Sequence, residues 1–102
     1  AADGKAALAD LTVRTLTEAD TALREATTAL KTAERSRVAA SILARARRTI
    51  STTGTAVQKA RATIGQGNYQ GVASGLSKPI ADIRATTRDL EKAAATAAGR
   101  RR

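Results

Sequence analysis

Leu16, Leu23 and Leu30 recur every seventh residue, and Ala19, Ala26 and Ala33 follow each of them by three. A seven-residue repeat with one large and one small apolar position is the seam of a helix packed lengthwise on another helix. Alanine in the seam lets the partner approach to the short end of the usual 8–10 Å range. The spacing predicts a first helix over about residues 5–35. A second frame holds Leu43, Ile50, Val57 and Ile64, with Ala46 and Ala60 as its small positions. Leu30 and Leu43 are thirteen residues apart, one short of two heptads, so the frame slips near Glu34-Arg35-Ser36-Arg37. Ser36 suits an N-cap there. A tight break and a second helix over about 37–65 are expected, with one bent helix as the alternative. Gly54 weakens the middle of that helix by about 1 kcal/mol relative to Ala.

Gly65-Gln66-Gly67-Asn68 is the strongest punctuation in the chain. Glycine supplies a C-cap and Asn68 the next N-cap. A third helix is expected over about 69–98, with Leu76, Ile83, Leu90 and Ala97 seven apart. Pro79 removes a helical hydrogen bond, which predicts a kink, or else a restart capped by Ser77. Gly67, Gly71 and Gly75, spaced by four, read either as a flexible helix start or as a small-residue groove for another helix. No segment alternates as a strand does. The expected fold is all-α: an up-down-up antiparallel bundle of three long helices, the third kinked at Pro79. It forms a single domain over residues 1–98, followed by a frayed basic tail over 99–102.

Composition narrows the chemistry. Eight Leu, five Ile and four Val are the large aliphatics, and Tyr69 is the sole aromatic, so the core is thin and a partner is expected to add stability. Histidine and cysteine are absent, which removes disulfides, thiol chemistry and most transition-metal sites. Any general base would be Asp, Glu, Lys or Tyr. The carboxylates lie in ordinary solvated helix patterns. Glu18 and Asp20, like Asp89 and Glu91, are two apart and point to different faces. The reading is a non-enzyme with no catalytic residues, metal, cofactor or small-molecule substrate. No run of about 18 apolar residues spans a membrane. The start, Ala1-Ala2-Asp3-Gly4, has no initiator Met and no signal-peptide pattern, which leaves an end made by processing or a cloning boundary.

Charge then points to a partner. The formal net charge is +9. Residues 1–34 hold six acids and four bases, residues 82–102 three acids and six bases. Between them Arg35, Arg37, Arg45, Arg47, Arg48, Lys59, Arg61 and Lys78 occur without a single acid. Arg45 and Lys59 share one heptad position and Arg47 and Arg61 another, all off the apolar seam, as one cationic stripe. Solvated faces usually mix signs, so Arg45, Arg47, Arg48, Lys59 and Arg61, joined by Arg84, are expected to bind a partner. An acidic protein surface is the first candidate. Structured RNA or DNA ranks below it, because phosphate contacts are available but stacking aromatics are not. A bacterial envelope scaffold is a third reading.

The run Asn68-Tyr69-Gln70-Gly71-Val72-Ala73-Ser74-Gly75-Leu76-Ser77-Lys78-Pro79-Ile80-Ala81-Asp82-Ile83-Arg84 resembles the PsbQ-type extrinsic proteins of photosystem II. That family has an Asn and an aromatic, then Val, Ser and an aliphatic, then a proline followed by aliphatic, two spacers, aliphatic and Arg. Asn68, Tyr69, Val72, Ser74, Leu76, Pro79, Ile80, Ile83 and Arg84 stand at those spacings. Tyr69 replaces the usual Trp, Lys78 the Gly before the proline, and the family's bundle has four helices. The resemblance implies a non-catalytic subunit peripheral to the thylakoid membrane on its lumenal side. Such a subunit shields the manganese cluster and helps retain calcium and chloride without ligating metal. Asn68, Tyr69 and Pro79 then shape the junction of helices 2 and 3. The other readings imply a cytoplasmic or periplasmic address.

Overall fold

The computed structural model describes residues 2–100, and the side chains of residues 7–99. Three helices carry the fold: α1 (Ala2–Arg35), α2 (Ala40–Gly65) and α3 (Val72–Arg100). Each packs on both of the others, and the described residues contain no strand. At one end Ala19 shares a cluster with Val57, Ala60 and Leu76. At the other Ala33 shares one with Ala46 and Leu90. Residue numbers therefore rise together along α1 and α3 and fall along α2. This is the up-down-up three-helix bundle that the heptads predict. It is a rod of 62 × 19 × 16 Å with a radius of gyration of 16.5 Å, against about 13 Å for a compact chain of this length.

The core is built on alanine. Ala19, Ala26 and Ala33 are fully buried, while Leu16, Leu23 and Leu30 are only half-buried. The reason lies in how α1 divides its apolar stripe. Ala22 and Ala29, a row the heptad reading overlooks, turn toward α3, where Ile83 packs with Ala22 and Ala26. Leu90 packs with Ala29 and Ala33 one heptad further on. Ile83 and Leu90 are the largest side chains excluded from solvent, and methyl groups opposite leave room for them. The leucines turn toward α2, where Leu23 shares a cluster with Ile50 and Leu30 with Leu43. Threonine, a poor helix former, is accommodated by folding its hydroxyl onto the carbonyl four residues back. Thr12 donates to Leu8 O at 2.7 Å and Thr87 to Ile83 O at 3.0 Å.

The two turns end their helices in the same way. Arg37 N–H donates to Glu34 O at 3.2 Å and Val38 N–H to Ala33 O at 3.1 Å. Gly67 N–H donates to Ile64 O at 2.8 Å and Asn68 N–H to Thr63 O at 3.2 Å. Both are Schellman motifs, which satisfy the last helical carbonyls and place one residue in the left-handed region. Gly67 takes that place at φ 81 and Arg37 at φ 58. Val38 then serves both helices. It contacts the end of α1 and, with Leu43, staples the start of α2.

Several local expectations are corrected. The chain breaks between α1 and α2, so the single bent helix does not form. Ser36 caps no helix start: it lies in the turn that ends α1, and the N-cap of α2 is Ala39, which has no capping side chain. Asn68 does not begin α3 either. Its Oδ1 accepts from Gln70 N–H at 3.2 Å inside the turn, and α3 starts at Val72. Gly67 and Gly71 serve the turn through positive φ, at 81 and 79, rather than lining a helix face. Ser77 caps no restart, because α3 runs unbroken through Pro79. The missing proline amide frees the Gly75 carbonyl, and Gly75 is exposed to water. α3 continues to Arg100, past the expected start of the tail, and Arg101 and Arg102 lie outside the described residues.

Two substitutions check this account. Ala26→Leu puts three extra carbons where Ile83 already packs, and is expected to destabilise by about 1–3 kcal/mol in urea denaturation. A neutral result would show that the helices are not held at alanine distance. Arg37→Gly removes left-handed strain from a non-glycine residue and is expected to stabilise by about 0.5–1 kcal/mol. The thermal midpoint should then rise by about 2–8 °C, and an unchanged midpoint would contradict the strain.

Candidate cationic interface

Two residues along a helix subtend about 200°, so Glu18 and Asp20 leave α1 on opposite flanks of buried Ala19. Each meets an arginine of a different neighbour. Asp20 pairs with Arg61 of α2, and Glu18 pairs with Arg84 of α3. Glu34 pairs with Arg47 of α2 at 3.2 Å. The three arginine side chains are 53–55% exposed, so each pair contributes little, about 0.2–1 kcal/mol. Their larger effect is orientation: they mark which flank of α1 belongs to α2 and which to α3.

This divides the stripe expected on α2. Arg47 and Arg61 turn toward α1 and their charge is met within the chain. Arg45, Arg48 and Lys59 turn outward and toward α3. All three are exposed, and none has an ion-pair partner among the described residues. Arg48 shares a depression of about 530 Å³ with Lys78 and Pro79 of α3. Arg45 lies beside Asp89 of α3 in the next one, and Lys59 stands near Gly71 and Val72 at the far end. Arg37 and Lys92 border one depression near the α1–α2 turn. Of the six expected partner-binding residues, three therefore gather on one edge, and Arg47, Arg61 and Arg84 are engaged by α1. Pro79 borders that edge, whereas half-buried Tyr69 and exposed Asn68 lie in the turn at the end of the rod. Lys78, Arg37 and Lys92 complete the edge without having been singled out. Lys78 stood in the acid-free block, but Lys92 had no signal in the sequence because its position depends on how α3 packs on α2.

The arrangement offers cations to an anionic partner, while the Thr49 hydroxyl is already donated to Arg45 O at 3.2 Å. Thr49 and Thr52 line the same depression as Arg48 and Lys78. Among the described residues no group of three His, Cys, Asp or Glu is placed to hold a metal ion, and no helix is long and apolar enough to cross a membrane. No family model matches the chain, and no curated protein or solved structure matches it.

Two variants of equal net charge separate the edge from the rest of the surface. Arg45→Ala/Arg48→Ala removes two unpaired cations, and Arg47→Ala/Arg61→Ala removes two paired ones. The first is expected to leave a sulfonate cation-exchange column at clearly lower salt than the second. Coincident elution would mean that the ion pairs to α1 do not mask charge.

Proposed function

We propose that the chain is a non-catalytic docking subunit, held peripherally on the acidic protein surface of a larger assembly by the α2–α3 edge. One observation supports this most. The acids Glu18, Asp20 and Glu34 each pair with an arginine on the flanks of α1, and the unpaired Arg45, Arg48, Lys59 and Lys78 lie together elsewhere. A protein that only needed solubility would disperse its charge. The rod shape gives such a subunit a long contact line for few residues. The thin alanine core is consistent with a chain that gains stability on docking.

The resemblance of Asn68–Arg84 to the PsbQ-type proteins supplies an address for this docking, the lumenal face of photosystem II. There the subunit would stabilise the oxygen-evolving complex without touching its metals. That address rests on the resemblance alone, and the docking itself rests on charge placement. Rebinding to salt-stripped photosystem II cores tests the address. The purified chain is expected to rebind at low salt and to release as ionic strength rises past about 0.15 M, where the screening length falls to about 8 Å. Failure to rebind, together with a mobility shift of structured RNA at the same ionic strength, would replace protein docking by nucleic-acid binding.

A further inference from the structure

The unpaired cations do not stand on a convex face. They rim a groove between α2 and α3. Four depressions follow one another along this edge, and each carries at least one cation: Arg37 with Lys92, Arg45, Arg48 with Lys78, and Lys59. The floor between the banks is apolar or small toward its two ends, with Ala93 and Ala97, then Ile42 and Leu90, at one and Val72 and Gly75 at the other, and between them Thr49, Thr52 and Thr86 line it beside Pro79 and Ala85. Ile42 is 38% exposed and lines two adjoining depressions. From Arg45 to Lys59 the groove runs about 21 Å along the helix axis.

The two banks differ in charge. The α2 bank is purely basic. The α3 bank is mixed, with Asp82 and Asp89 in the middle and Lys78 and Lys92 on either side of them. A phosphate backbone laid in the groove would meet Asp82 and Asp89, and it would leave the apolar ends of the floor uncovered. A helix fits better. Its apolar stripe covers the floor, carboxylates on one flank meet the α2 bank, and the other flank is uncharged or mixed where it faces α3. The small floor residues allow close approach of its backbone.

We infer that the α2–α3 groove is the seat of an amphipathic helix from the partner protein, with acidic residues along the flank that faces Arg45, Arg48 and Lys59. The inference rests on the docking reading above and specifies the partner's form. The probe is a labelled three-heptad peptide, about 32 Å long as a helix, with leucine in the seam, glutamate on one flank and glutamine on the other. Fluorescence anisotropy at low salt is expected to show one-to-one binding. The version with lysine in place of glutamate is expected to bind at least about tenfold more weakly, as is a scrambled peptide without the stripe. Arg45→Glu/Arg48→Glu should weaken the glutamate peptide about tenfold or more. Thr52→Gln/Ala85→Gln fills the groove without changing charge and should also weaken binding, with an unchanged helical circular dichroism spectrum. Equal binding of the scrambled peptide, no effect of the filled groove, or tighter binding of an RNA hairpin would each overturn the inference. So would sedimentation showing that copies of the chain occupy one another's grooves. Rebinding of the filled-groove variant to photosystem II cores would overturn the groove and leave docking intact. Peptide binding by a chain that does not rebind cores would overturn the photosystem address and leave the groove intact.

Discussion

Between α1 and α3 nothing longer than a methyl group projects from Ala22, Ala26, Ala29 and Ala33, and Ile83 and Leu90 sink into that space. This large-into-small fit is the constraint on which the rest depends. It allows a chain with seventeen large aliphatics to keep α1 buried at every heptad step from Ala19 to Ala33, because close helices need less apolar volume between them. It also fixes rotation. Once α1 gives its alanines to α3, its leucines have to face α2, and every flanking charge is assigned a neighbour.

The turns act within the same geometry. At each of them a Schellman motif reverses the chain in a few residues, so α2 returns directly alongside α1 and α3 alongside both. Val38 joins the two roles by contacting the end of one helix and the beginning of the next. The strain at Arg37 is tolerated there because the two backbone hydrogen bonds and the Val38 contact hold the turn from both sides.

Charge placement follows from packing and leads to function. The acids of α1 lie beside its buried stripe and so meet arginines of both neighbours, which neutralises two edges of the bundle. The third edge has no α1 residue and hence no share of those acids. Arg45, Arg48 and Lys59 of α2 remain unpaired there, next to a floor that is apolar or small at its ends and threonine-lined between them. The result is a long groove, basic along its α2 bank and mixed in charge along α3.

The sequence by itself determined the helices and their number. Seven-residue spacing of Leu, Ile and Val is a local property, and it placed all three helices within a few residues. The frame slip after Leu30 and the glycines at 65 and 67 located both turns. It also determined the acid-free block, since composition needs no coordinates. Tertiary structure decided what distance along the chain does not encode. Ser36 and Asn68 looked like N-caps, but Ser36 lies in the turn that ends α1 and Asn68 in the turn after α2, because capping depends on where the chain reverses. Arg47 and Arg45 are two residues apart in one block, yet one faces Glu34, thirteen residues away in α1, and the other faces the groove. Helical rotation separates them by about 200°, and only the packing of α1 and α3 on either side of α2 gives those two directions different partners.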